Sequence, residues 1–365
     1  MKYDFTSHME RHGMDAIAVD GLGTGFAPDA PAEGFDGIPM WIADMNFPTV
    51  PTATEAIIER AKHPAFGYFA PTDDYFNSII RWHETRNGVE GLTKECIGYE
   101  NGVLGGVVSA LKVLCSNGDS VLLQSPTYIG FTHCIEDNGW NIVLNPLVLD
   151  EEGIWRIDYE DMEEKIVQNK IHAAVFCSPH NPTGRVWERW EIEKAMEIYQ
   201  KHDVYVISDE IWSDLTLPGY QHIPTQSVSE DAKNRTIALY APSKTFNLAG
   251  LNTSNIIIAD DDLRRRFRKT VTDIGASAIN VMGLTACRAA YESGLPWLQE
   301  VRNYIRGNMD FTASYLAENI PEVRLIRPEG TYLLWLDMRG LGLGDEELER
   351  FITQDAGLWL DRGSM

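Results

Sequence analysis

At 365 residues with 44% apolar side chains, the chain can bury a large core, and its length suggests two domains or one domain with an annex. Its 54 acidic against 31 basic side chains leave a net charge of −23, which repels phosphate backbones and anionic lipid. No apolar run reaches the ~20 residues of a membrane helix, so neither nucleic acid nor membrane is expected as a partner.

In chain order, the opening "MKYDFTSHMERHG" has no apolar signal core, and a cytoplasmic location is expected. The first 45 residues carry no core of their own. Within them "GLGTGF" (21–26) has dinucleotide-like glycines but no strand before or helix after, so it reads as a loop. Cys96, Cys115, Cys134, Cys177 and Cys287 are scattered without a CxxC and suit core positions in a reducing compartment rather than disulfides or a metal site.

From about residue 95 to 260, short apolar runs alternate with helix-period segments, the pattern of a mostly parallel sheet flanked by helices. The runs are "SVLLQ" (120–124), "NIVLNPL" (141–147), "HAAVFC" (172–177), "VYVIS" (204–208), "TIALY" (236–240) and "NIIIA" (255–259). Among the helical patterns is "WERWEIEKAMEIYQKH" (187–202), with apolar residues at helical spacing. After "LRRRFRKT" come helical patterns over 279–292 and 295–318, then the strand-like "VRLI" and "TYLLWLDM", and the helix-like "DEELERFITQ". The expectation is an α/β large domain over 46–272, with a smaller α+β domain made of the N-terminal arm, 1–45, and residues 273–365.

Ligands of an open α/β sheet sit beyond the carboxyl ends of its strands, so the residues just past the apolar runs are the candidates for chemistry. "HAAVFC" leads into "SPHNPTG" with Asn181, "VYVIS" into Asp209 and Glu210, and "TIALY" into Ala241, Pro242, Ser243 and Lys244. An amide, a carboxylate and an amine on one rim suit a flat, charge-delocalised ligand. Pyridoxal phosphate fits: a lysine amine takes up its aldehyde, and an acidic residue holds its ring nitrogen protonated. "YENGVLGGVVSALKVL" adds a Gly-containing turn opening a helix near residue 103, where the amides of Val103 and Leu104 can hold a phosphate, with Ser243 supplying a hydroxyl. Tyr128 of "SPTYIGF" is placed to stack on the ring. Each residue alone has an ordinary reading as a solvated lysine, a helix cap, a turn or a half-buried aromatic. Their combination at successive strand ends carries the inference.

"SPHNPTG", "SDEIW" and "SKTFNLAGL" together resemble the fold-type I pyridoxal phosphate enzymes of the class I/II aminotransferase family, with "SPTY" in support. The likeness runs from "PMWIADMNFP" to "RPEGTYLLWLDMRG", and "PMWIADM" and "KTFNLAGL" look most like its cystathionine β-lyase-type branch of carbon–sulfur lyases. The resemblance implies that Lys244 carries the cofactor, Asp209 pairs with its ring nitrogen, Asn181 bonds its ring hydroxyl and Tyr128 stacks on it. It further implies a homodimer with shared sites, in which Tyr68 of "AFGYFAP" reaches the neighbouring subunit's cofactor phosphate.

The chain departs from the family pattern at four places. Asn252 stands eight positions after the lysine, where aminotransferases commonly place a phosphate-binding arginine. Trp212 occupies a position that is often tyrosine, and an indole can donate a hydrogen bond but not accept one. Asn46 replaces the acid of the branch's "ADMDF". The family's arginine for the substrate carboxylate lies in a motif beyond "LWLDRGSM", which Arg362 does not match, so a truncated sequence or an incomplete site is expected. The implied reaction is β-elimination from cystathionine or a cysteine S-conjugate to thiol, pyruvate and ammonia, with an amino acid as the small-molecule substrate. An aminotransferase, and a cofactor-binding but catalytically silent regulatory protein, are the alternatives.

Overall fold

The computed structural model describes residues 2–25, 27–30, 34, 38–276 and 278–364; Phe26 of the "GLGTGF" loop and Met365 fall outside them. The six apolar runs form strands, joined by a seventh, short strand that precedes them in the chain. The strands are β1 (Ile97–Glu100), β2 (Ser120–Ser125), β3 (Asn141–Pro146), β4 (Ala173–Cys177), β5 (Tyr205–Asp209), β6 (Thr236–Tyr240) and β7 (Ser254–Ile258). They lie in the order β1-β7-β6-β5-β4-β2-β3. Strands β3, β2, β4, β5 and β6 run parallel, with Cys177 opposite Asp209 and Asp209 opposite Leu239. Only β7 runs against its neighbours, β6 and β1. The central strands β4 and β6 are buried at every position, as expected of a sheet covered on both faces.

The covering helices follow from the strands' period of two. The helices used below are α1 (Pro51–Lys62), α2 (Asp73–Asn87), α3 (Val103–Leu114), α4 (Ile129–Glu136), α5 (Tyr159–Asn169), α6 (Arg189–Lys201), α7 (Pro242–Thr245), α8 (Asp261–Asp273), α9 (Val281–Ser293) and α10 (Leu295–Asn319). On one face Val121, Leu123, Ala173, Val175, Ile237 and Leu239 pack with residues of α3, α4 and α8. On the other, Leu122, Ala174, Phe176 and Val206 pack with α5 and α6. Gly106 of α3 lies so close to Leu239 and Ile256 that a Cβ there would reach 3.1 and 3.0 Å from their methyls. The missing side chain lets α3 press onto the sheet.

The chain forms two compact units, one of residues 49–307 and 326–335, the other of 1–48, 308–325 and 336–365. Residues 273–307 and 326–335, grouped with the smaller domain from sequence, therefore cluster with the sheet. The reason is visible in α9: Tyr291 stacks on Trp82 of α2 at 4.9 Å, and Asn255 of β7 accepts from Tyr75 and donates to Tyr291. In the other unit the strand Ile38–Pro39 pairs in parallel with Leu358–Trp359. There Arg11 grips Asp44 through both terminal nitrogens at 3.0 and 2.6 Å, and also donates to Asn46 Oδ1 at 2.8 Å. Asn46 thus supplies an acceptor without a second negative charge beside Asp44. Arg362 pairs with Glu349 at 2.9 Å in the same unit. Of "TYLLWLDM" only Trp335–Asp337 is a strand, and no helix among the described residues is long and apolar enough to cross a membrane.

Candidate active site

Three neighbouring parallel strands deliver the central residues. Asn181 lies four residues beyond β4, Asp209 ends β5, and Lys244 sits in the one-turn helix α7 that follows β6. The helix α7 starts because Pro242 takes its first position with Ala241 extended before it. Tyr128 lies beyond β2, the far neighbour of β4, in extended conformation immediately before the first residue of α4.

Asp209 is 4% exposed. Its Oδ1 accepts from the Ile211 amide at 3.0 Å; among the described residues no donor or cation pairs with Oδ2. Burial pushes this carboxyl up to about 7, against the opposing pull of the Ile211 N–H and of Lys244, while Glu210 adds to the rise. Lys244 Nζ stands 5.7 Å from the centroid of the Trp212 ring, and Tyr332 meets that ring edge-on at 4.8 Å. Trp212 is fully buried, so its indole forms a wall beside the amine.

Around these, Asn181 and Ser243 are half-buried. Helix α3 begins at Val103 after Gly102, whose φ of 81° is open to glycine and whose lack of a side chain leaves the first-turn amides of Val103 and Leu104 uncapped. The half-exposed ring of Tyr128 folds back over Gly130, where any Cβ would overlap it. Asn252 is left-handed (φ 45°), and its carbonyl accepts from the Tyr99 hydroxyl at 2.9 Å. Tyr68 stands apart, fully exposed in the irregular stretch between α1 and α2.

Two polar clusters lie behind these residues; from sequence Glu210 is legible as a strand-end carboxylate, but its partners, and Asp214 with its own, are not. Glu210, next to Asp209 but on the opposite face, accepts from Tyr240 (2.5 Å), Ser208 (2.9 Å) and the Thr225 amide (3.0 Å), and pairs with His222 Nε2 at 2.6 Å. Burial alone would raise its carboxyl; His222, the Tyr240 hydroxyl and the Thr225 amide outweigh it and hold it below the ordinary value. Asp214 is buried against Trp82, Arg86 and Thr245. The alternation of a strand separates Asp209 from Glu210, a signal present in sequence; the partners of Asp214 had none.

These features suit pyridoxal phosphate. A buried carboxylate with one oxygen unanswered and its proton affinity raised fits a ring N–H, an amine stands nearby, and an uncapped helix start fits a phosphate. A seven-stranded α/β sheet with such a rim defines a fold-type I pyridoxal phosphate enzyme. The sequence profile of the class I and II aminotransferases matches residues 37–365, and the chain belongs to that family. It is 37% identical over 361 residues to cystathionine beta-lyase PatB of Bacillus subtilis, covering 99% of this chain and 91% of that protein. It is 30% identical to Protein MalY of Escherichia coli, covering 96% and 88%. Cystalysin from Treponema denticola, whose crystal structure contains pyridoxal 5′-phosphate, superposes with a TM-score of 0.93 at 32% identity over 99% of this chain and 90% of that one. The PLP-bound C-S lyase from Staphylococcus hominis gives 0.88 at 30% identity over 98% and 88%.

Proposed function

We propose that the chain is a pyridoxal-phosphate-dependent carbon–sulfur β-lyase that cleaves cystathionine or a related cysteine S-conjugate. The observation that carries the reading is the row of Asn181, Asp209 and Lys244 at the carboxyl ends of adjacent parallel strands, in a chain 37% identical to a cystathionine beta-lyase. When bound, pyridoxal phosphate supplies an aldehyde for the substrate amine and a protonated ring that takes up the electron pair left at Cα.

In this reading the Asp209 carboxylate keeps the ring nitrogen protonated, and the ring N–H in turn favours the ionised form that burial opposes. Asn181 would donate to the ring hydroxyl, Tyr128 would cover one ring face, and the Val103 and Leu104 amides with Ser243 Oγ would receive the phosphate. Trp212 closes the site beside Lys244. Lys244 Nζ would hold the cofactor and would serve as the base for the Cα proton, a role typically worth ~10²–10⁴-fold. Overall the Cα–H and Cβ–S bonds break, the thiolate leaves and is protonated, and water completes the release of pyruvate and ammonia.

The working assembly proposed is a homodimer in which Tyr68 meets the phosphate of the partner's site, a reading supported by its full exposure beside Phe66 and Phe69. The proposed location is the cytoplasm, in keeping with five unpaired cysteines. The test is pyruvate release from cystathionine by the cofactor-loaded chain without added keto acid, beside Lys244→Ala. Release by the wild type and its loss in the variant are expected. Turnover only when a keto acid is supplied would make the chain an aminotransferase, and no turnover of any amino acid would leave a silent cofactor-binding protein.

A further inference from the structure

The turn that follows β5 does more than present Asp209. Its backbone closes through Ser213 N–H to Glu210 O at 3.0 Å and Leu215 N–H to Trp212 O at 2.9 Å. Trp212 on this turn faces the tip of Lys244. Asp214, two residues on and 3% exposed, turns to the backbone that carries the lysine: its Oδ2 accepts from Thr245 Oγ1 at 3.0 Å. The same carboxylate accepts from Trp82 Nε1 at 3.2 and 3.1 Å and pairs with Arg86 Nε at 3.3 Å, both on α2.

The next residue is fixed as firmly. Phe246 is fully buried among Trp82, Tyr291 and Trp297, with ring centroids 5.7, 6.3 and 5.9 Å away, and a Cβ at Gly294 would overlap both that ring and the Ala290 carbonyl. The carbonyl of Phe246 accepts from Thr49 Oγ1 at 2.5 Å, and its amide closes α7 onto Pro242 O at 2.9 Å.

From this geometry we infer that Asp214, acting through Thr245, is a positioning residue for Lys244: it fixes the one-turn helix from which the amine reaches the cofactor and the Cα proton. The inference rests on the assignment of Lys244 made above. Lysine has a flexible four-carbon stem, and proton transfer demands a reacting distance near 3 Å. A one-turn helix has no cooperative stability to hold such a stem in place. Its register must come from tertiary anchors, and the buried charged acceptor at Thr245 is the anchor adjacent to the lysine. Asp214 carries its own counter-charge in Arg86, so the anchor is paired whether or not a ligand is bound.

Thr245→Val removes the donor with little change of volume, and Thr245→Ser keeps it. Two quantities separate positioning from packing: the rate at which the cofactor-stripped chain develops its visible band on adding pyridoxal phosphate, and the split between kcat and KM. Thr245→Val is expected to slow band formation and to lower kcat by roughly 10- to 100-fold with KM unchanged, the cost of a small misplacement of a reacting group. Thr245→Ser is expected to restore both. Asp214→Ala, which removes the acceptor of Thr245 and leaves Arg86 unpaired, should match Thr245→Val in band formation and add a loss of thermal stability.

Wild-type band formation and kcat in Thr245→Val would overturn the inference, as would an equal loss in Thr245→Ser. Lys244→Ala tests the reading beneath it: a normal visible band in that variant would remove Lys244 from the cofactor and this inference with it, whatever Thr245 does.

Discussion

Asp209 and Glu210 are adjacent acids, both buried, with opposite proton affinities because their partners differ. Glu210 has His222 and three donors, whereas Asp209 has one amide and lies away from any salt-bridge partner among the described residues. The folded chain therefore holds a proton on Asp209, up to about pH 7, that the unfolded chain releases near the ordinary carboxylate value. A raised carboxyl contributes stability at low pH that is lost as pH rises through that window. Without cofactor, Asp209→Asn should be more stable than the wild type, and its advantage should grow by about 2 kcal/mol between about pH 5.5 and 8.5, from the 1.5 pH units that lie below 7. Urea unfolding of both stripped chains at the two pH values measures this. An advantage that does not change with pH would show that Asp209 is already ionised when the site is bare.

At the scale of elements, the strand ends were readable because apolar runs bury on both faces of a parallel sheet and their exits are fixed by topology. Strand β1 was not, since only one position of "IGYE" is aliphatic, and "TYLLWLDM" promised more strand than the three residues that pair. Asp214 was illegible for another reason: its partner Trp82 is 132 positions away and Thr245 is 31. No local pattern encodes such a meeting. Helix α4 is an intermediate case, where Tyr128 was legible as a ring at a strand exit but the space it needs at Gly130 was not. A Cβ at Gly130 meets only the Tyr128 ring among its nearest neighbours, so Gly130→Ala would force the ring off its seat. Cofactor affinity by equilibrium dialysis should fall about 2- to 10-fold, the worth of one aromatic stack at ~0.5–1.5 kcal/mol, with the melting temperature of the stripped chain nearly unchanged. Undiminished affinity would mean that Tyr128 does not cover the ring.

Across the whole molecule, the dominant fact is a charge of −23 on a chain proposed to pair with its own copy. Two such chains repel at long range, and the attraction that holds them must come from short-range apolar contact. Tyr68, Phe66 and Phe69 are exposed together between α1 and α2, at 111%, 56% and 37%, an aromatic cluster of the kind that interfaces bury. Salt shortens the reach of the repulsion from about 10 Å at 0.1 M to about 3 Å at 1 M and leaves apolar contact intact. The proposed dimer should therefore tighten as salt rises, which sedimentation equilibrium across that range reads directly. Tyr68→Ala should weaken both self-association and cofactor retention, because one side chain serves the interface and the partner's phosphate. Association that loosens with salt would point to an interface of ion pairs. A chain that sediments as a monomer at every salt concentration, yet still retains its cofactor, would place Tyr68 outside the site altogether.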